Sequence, residues 1–258
     1  MNKTSNKMDF SEYVQSFYNN LDRKNYLTYS DWKWFRTPSS KSQFIQTKKT
    51  IINALNGKSF DSAFEIGPGD GIWTQLFCHY AKKIDAIDIS EEMLRMARAR
   101  LKDKNVALKQ GNFLTSKLKK KYDLIYSVRC IEYLPDKESL IKKISSIAKN
   151  GANVLIVTKN PHYFKIRNQD KNLHSNQIDI LRLKALFEKQ GFKVKCILPA
   201  VLGKGFQIPW FRQLLQAKHQ EVLRKGSSPN NFFIKNFSES FLIYAQKNDY
   251  TKTRRSQG

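Results

Sequence analysis

Phe64-Glu-Ile-Gly67-Pro-Gly69-Asp70-Gly71 is an apolar run that breaks into three closely spaced glycines, with a helical stretch, Ile72 to Tyr80, directly after it. Glycines at such a strand-to-helix turn let the backbone bend sharply. They also let a ligand lie against the main chain where a Cβ would collide. Glu65 sits inside the strand, where burying a carboxylate without partners is costly. A second strand, Ile84 to Ile89, carries Asp88 near its end, about 20 residues past Gly67, and that spacing suits a carboxylate accepting hydrogen bonds from both hydroxyls of a ribose. A pyrophosphate turn asks for GxGxxG. Here the third glycine arrives one residue early, so the spacing argues for a nucleoside ligand other than a dinucleotide.

Outward from this segment the chain alternates. Ser90-Glu-Glu opens a helix with a good N-cap and acidic residues near the positive end of its dipole. Val106 to Leu108 and Tyr122 to Ser127 are the third and fourth strands. Asp136 caps a helix expected to run through Ala148 and to stop at Asn150-Gly151 in a left-handed turn. Asn153 to Thr158 is a fifth strand, whose continuous apolar run implies burial on both faces. A helix from Asp179 to Gln190, a sixth strand from Phe192 to Leu198 and a seventh from Ser240 to Ala245 complete the pattern. Strands alternating with helices of this length imply right-handed crossovers and a doubly wound parallel sheet, which binds ligands at the carboxyl ends of its strands. The first sixty or so residues are rich in aromatics, among them Tyr18, Tyr29, Trp32 and Trp34, and lack a strand signal, so short amphipathic helices fit best. Residues 1–58 are expected to form an N-terminal helical cap on a domain of residues 59–258. An inserted helical lid is expected at about 204–237.

GxGxG preceded by Glu resembles the first motif of class I S-adenosylmethionine-dependent methyltransferases. Asp88-Ile-Ser-Glu-Glu-Met93 resembles their second motif, and Gln110-Gly-Asn112-Phe113 their third, which usually carries Asp where Asn112 stands. Ser127-Val-Arg-Cys-Ile-Glu-Tyr-Leu-Pro-Asp136 resembles their fourth-strand loop, with Tyr133 at a place often held by His. The match runs from about Ser59 to Leu198. It implies an α/β, doubly wound, Rossmann-like sheet of seven strands, mostly parallel with an antiparallel last strand, and helices on both faces. It also implies S-adenosylmethionine as cofactor and in-line displacement at its sulfonium methyl. Glu65 and Gly67 would then lie near the methionine moiety, Asp88 and Ile89 at the ribose, and Asn112 and Phe113 at the adenine. The Asn112 side-chain carbonyl could accept a hydrogen bond from the adenine amino group. Gly69, Asp70 and Gly71 complete the loop, and Ser127 and Arg129 would face the methionine end or the acceptor. His162, His174, Glu132 and Tyr133 approach the same mouth and are candidates for a catalytic base.

The methyl acceptor follows by elimination. The fourth strand lacks the Asn/Asp-Pro-Pro-Tyr box of nucleic-acid amino-methyltransferases, the Pro-Cys of cytosine-C5 enzymes and the acid of metal-dependent catechol-type enzymes, so no metal is expected. What remains resembles the small-molecule branch, whose N-terminal helices and late insertion cover the acceptor. The 46 Lys and Arg against 22 Asp and Glu leave a formal charge of +24. Such a charge attracts nucleic acid and anionic surfaces, which makes an RNA methyltransferase the alternative, beside a noncatalytic protein that keeps the pocket for binding. Residues 208–225 form a basic amphipathic stretch suited to peripheral membrane contact. No apolar stretch is long enough to cross a bilayer and no export signal opens the chain, so a cytoplasmic protein is expected. The three cysteines, Cys78, Cys130 and Cys196, are too dispersed for a disulfide framework and are expected to be reduced and mostly buried.

Overall fold

A computed structural model describes residues 9–23, 25–102, 104–163, 176–202, 217 and 236–249. The chain begins with α1 (Phe10–Asn19), capped by Asp9, whose side chain accepts from Ser11 N. A π-helical turn, Asp31–Phe35, leads to α2 (Pro38–Leu55), which Thr37 and Ser40 close with a reciprocal capping box. Then β1 (Phe60–Ile66), α3 (Ile72–Phe77), β2 (Ala81–Asp88), α4 (Glu91–Arg100), β3 (Val106–Gln110) and β4 (Tyr122–Val128) follow. After a 3-10 turn at Ile131–Tyr133 come α5 (Lys137–Ile147), β5 (Ala148–Lys159), α6 (Ile180–Lys189), β6 (Phe192–Leu202) and β7 (Ser238–Lys247).

The strands form one sheet in the order β3-β2-β1-β4-β5-β7-β6. Pairs are parallel from β3 through β5, while β7 runs antiparallel to both β5 and β6. The sheet is therefore the doubly wound, mostly parallel one expected, with its last strand reversed. Even strands with continuous apolar runs divide their side chains between two cores. Phe64, Ile125, Ile156 and Ile243 face α5 and α6, whereas Ala63, Tyr126, Leu155 and Leu242 face α2 and α3. Strand order reverses between β1 and β4, and that reversal opens a crevice at their carboxyl ends.

Two helix ends differ from expectation. The stretch expected to be helical through Tyr80 leaves the α-helix at Phe77, because His79 N and Tyr80 N bond back to Leu76 O and Phe77 O, tightening the last turn. Tyr80 O then accepts Phe60 N at 2.8 Å and starts β2 beside β1. The helix expected to stop at Asn150-Gly151 ends at Ile147 instead. Gly151, at φ +74°, lies inside β5 where the pairing with β4 shifts register between Tyr122 and Leu124. Its left-handed backbone serves a strand irregularity, which draws on the same conformational freedom as a helix stop. The three cysteines are free, as expected, and half-buried. The expected lid at about 204–237 lies outside the described residues except for positions 217, 236 and 237, the basic stretch at 208–225 except for 217, and His174 lies outside them altogether.

Candidate functional site

The crevice deepens into a cavity that encloses about 1020 Å³, counting the solvent at its mouth. Gly67 to Asp70, at the end of β1, form its floor, and Asp88 and Ile89 its wall beyond β2. Gly69 lines the cavity at φ +57°, and a Cβ built there would meet no atom within 4 Å. Its N–H donates to Asp88 Oδ2 at 2.9 Å, and Ser90 N donates to Oδ1 at 2.9 Å. The Asp88 carboxylate is thus oriented by backbone on both sides with lone pairs to spare. Burial pushes its pKa up, and the N–H groups of Ser90, Gly69 and Ile89 pull it back.

Asn112 and Phe113 close the far side of this end. The Asn112 side-chain oxygen, expected to face an adenine, already accepts Leu114 N at 2.9 Å, with a second lone pair left, and its amide donates to Ser11 of α1 at 3.1 Å. Phe113 is buried and lines the cavity.

Three residues expected at the ligand stand elsewhere. Glu65 points to the opposite face of β1, because strand alternation sends Phe64 and Ile66 toward α5 and sends Glu65 toward α3. There its Oε2 accepts from Thr74 at 2.6 Å and Tyr126 at 2.9 Å, while its buried Oε1 has no partner. Burial raises its pKa to about 7 against those two hydroxyls. Gly71, at φ +81°, is needed for helix approach: a Cβ there would lie 3.3 Å from Ala97 of α4. Ser127 is buried and donates to Ile66 O at 2.9 Å, tying β4 to β1.

The opposite wall comes from distant segments. Tyr18, Tyr29, Lys33, Trp34 and Trp73 line it together with Arg129, Cys130 and Tyr133. Arg129 is the one non-glycine residue with positive φ, +62°, among those described. Strain of that kind persists only where the surroundings over-determine it, and such residues cluster at functional sites. Its N–H is held by Val157 O at 2.8 Å and its Nε donates to Glu132 Oε1 at 3.1 Å. Glu132, a candidate base, is fully buried, also accepts from Thr158 at 3.1 Å, and lies behind the wall instead of in it. Tyr133 does face the cavity, packed edge-on against Tyr18 with ring centroids 5.6 Å apart. Burial pushes the hydroxyls of Tyr18 and Tyr133 well up and that of Tyr29 to about 12, so at neutral pH these groups act as hydrogen-bond donors. His162 turns away from the cavity to meet Asp179, the cap of α6, at 2.7 Å. Sequence reasoning missed Tyr18, Tyr29 and Lys33, whose only signal was the density of aromatics before residue 36.

Asp70 joins the two halves. It is buried and accepts from Ser30 N at 2.7 Å, Ser30 Oγ at 2.6 Å and Arg100 at 3.1 Å, so the N-terminal segment is stitched to the glycine loop and to α4. Among the described residues no group of three or more His, Cys, Asp or Glu is placed to share a metal ion, and no helix is long and apolar enough to cross a membrane.

A family model described as a methyltransferase domain matches residues 31–197. The malonyl-[acyl-carrier protein] O-methyltransferase of Priestia megaterium is 30% identical over 113 residues, covering 42% of this chain and 41% of its own length. The ubiquinone biosynthesis O-methyltransferase of Pseudoalteromonas translucida is 25% identical over 162 residues, 56% of this chain and 69% of its own. Among solved structures, the N-methyltransferase NodS of Bradyrhizobium japonicum, in complex with S-adenosyl-l-homocysteine, shares the fold. It has a TM-score of 0.62 at 11% identity and covers 93% of this chain and 99% of its own.

Proposed function

The chain belongs to the methyltransferase-domain family, and from that premise we propose that it binds S-adenosylmethionine in this cavity and transfers the methyl group to a small-molecule acceptor. The observation that carries the proposal is the Asp88 carboxylate, held beside the open face of Gly69 at the reversal in strand order. The residues fit that cofactor. Asp88 would accept from the ribose hydroxyls, Ile89 and Phe113 would flank the adenine, and the Gly67–Gly69 backbone would lie against the methionine portion. When bound, S-adenosylmethionine supplies a methyl already activated by its positive sulfur.

What this chain adds is alignment and exclusion of water. Tyr18, Tyr29 and Tyr133, whose hydroxyls are hydrogen-bonded to one another, would present a polar edge against which an acceptor is oriented. Trp34 and Trp73 present apolar surface that keeps the space dry. A cavity walled by buried aromatics favours a small acceptor over a folded nucleic acid. Titration calorimetry with S-adenosylhomocysteine tests the reading. Asp88→Ala is expected to weaken binding by about 1.5–3 kcal/mol, the range for hydrogen bonds to a charged group. Unchanged affinity in the folded variant would remove Asp88 from the site.

A further inference from the structure

Two lysines of α5 direct their ammonium groups at main-chain carbonyls of turns that wall the cavity. Lys137, in the first turn of the helix, is buried and donates to Ile131 O at 2.8 Å and to Leu134 O, across the 3-10 turn that follows β4. Lys143, further along, donates to Leu114 O at 2.9 Å and to Ser116 O, and its Nζ sits 5.3 Å from the centroid of the Phe113 ring. Burial lowers the pKa of both, that of Lys137 to about 8. Sheltering an ammonium is costly unless its donors are used, and here each lysine bonds two carbonyls of one turn.

The two turns stand at opposite ends of the cavity. Cys130, Tyr133 and Leu134 line it from the turn that Lys137 holds. The Cys130 thiol is packed on the glycine loop so closely that a Cβ built on Gly67 would collide with it. Within this turn Tyr133 N bonds Cys130 O at 2.9 Å and Leu134 N bonds Ile131 O at 3.1 Å, a 3-10 pattern whose geometry is weaker than that of an α-helix. Charge-assisted bonds from Lys137 reinforce it. Asn112 and Phe113 line the nucleoside end from the other turn, in which Ser116 N bonds Asn112 O at 3.0 Å.

The helix beneath is a firm base, because Leu140, Ile141 and Ile144 are fully buried in the core. Lys247 supplies a contrast. It donates to Ser145 O at 2.6 Å and Ala148 O at 3.2 Å at the far end of α5, the same chemistry on carbonyls that wall no part of the cavity.

We propose that Lys137 and Lys143 are positioning residues for methyl transfer, each fixing from α5 the main-chain turn that carries one end of the cavity wall. The inference rests on the cavity being the site of that reaction. It predicts separable effects, since the Lys143 turn serves the nucleoside and the Lys137 turn abuts the glycine loop where the methionine portion would lie.

Calorimetry on the full chain compares S-adenosylhomocysteine with 5′-methylthioadenosine, which lacks the amino-acid portion. Lys143→Met is expected to weaken both nucleosides about tenfold. Lys137→Met is expected to weaken S-adenosylhomocysteine by about the same factor and to leave methylthioadenosine unchanged. Lys137→Arg and Lys143→Arg, which keep charged donors, restore the affinities. Lys247→Met leaves both ligands as in wild type. Lys→Gln at either position replaces a Met variant that fails to fold.

The proposal is overturned if Lys137→Met and Lys143→Met bind both nucleosides as wild type does. It is equally overturned if Lys247→Met weakens them as much, or if Lys137→Met weakens both alike, since loss of packing or of general stability would then explain the effect. A position at which neither the Met nor the Gln variant folds serves the fold itself, and the proposal fails there. Those results strike the positioning roles alone. Failure of S-adenosylhomocysteine to bind wild type would instead overturn the methyltransferase reading, and this inference with it.

Discussion

Asp88 and Gly69 are 19 residues apart and joined by one hydrogen bond, from the Gly69 N–H to the Asp88 carboxylate, at the end of two adjacent parallel strands. Lys33 and Arg129 stand on either side of that motif in sequence and share a wall only because the N-terminal segment packs across the sheet's carboxyl edge. At the first end, backbone conformation does the positioning, and the residue types follow from it. At the second, side chains from unrelated elements converge, and their placement depends on long-range ties. Ser30 is bonded to Asp70, Asn19 accepts from Ser90 Oγ at 2.7 Å, and Arg23 pairs with Glu92 at 2.8 Å. A site built half from local geometry and half from docking can change its acceptor wall while its nucleoside end stays as it is.

The largest effect is expected where backbone alone carries the function. Gly69→Val adds a β-branched side chain at φ +57° to a loop that lines the cavity. S-adenosylhomocysteine affinity should fall by more than about 4 kcal/mol, combining backbone strain with lost space, while circular dichroism keeps its native form. Near-normal binding would dissolve the distinction between the two ends. Next comes the tie between them. Asp70→Ala strips a buried carboxylate from Arg100 and both Ser30 donors. It should cost about 3 kcal/mol of stability, a fall in melting temperature on the order of 10 °C. If the melt is unmoved, docking of the N-terminal segment does not depend on this contact.

Smaller, and distinguished by its pH dependence, is the effect of Glu65, whose pKa is raised to about 7 from an ordinary 4.5. The folded state favours its protonated form. The stability this lends is full below about pH 4.5 and is lost as pH rises through 7. Glu65→Gln cannot ionise, so relative to wild type it should gain a little under ~3 kcal/mol between pH 4.5 and pH 8, read from denaturant melts at both values. A difference that stays constant with pH would mean the carboxyl is not held neutral by its burial between Thr74 and Tyr126.

Glu65 also shows how near a sequence reading can come and still misplace a side chain. Its strand, its burial and its cost were all legible, but alternation along β1 sent it to the α3 face, away from the cavity. Gly71 was legible as a required glycine, yet the requirement comes from Ala97 of α4. Gly151 announced a left-handed backbone and supplied one inside a strand. In each case the residue type reports a local constraint without naming the neighbour that imposes it.

The alternation of strands and helices, the glycine loop and the placement of Asp88 at the end of the second strand follow from residue spacing, whereas the reversed last strand was implied only by the family resemblance, since β7 pairs with β5 across about 80 residues of chain. The first three rest on interactions within one supersecondary unit, where residue spacing and backbone geometry are nearly the same statement. Tertiary structure alone decided that Tyr18, Tyr29 and Lys33 would face Arg129 and Tyr133, that Glu132 would be spent on Arg129 and Thr158, and that His162 would turn to Asp179. Those outcomes depend on which amphipathic face of the N-terminal segment docks where. Docking is set by summed burial and a few buried hydrogen bonds across the whole molecule, a quantity that no local pattern encodes.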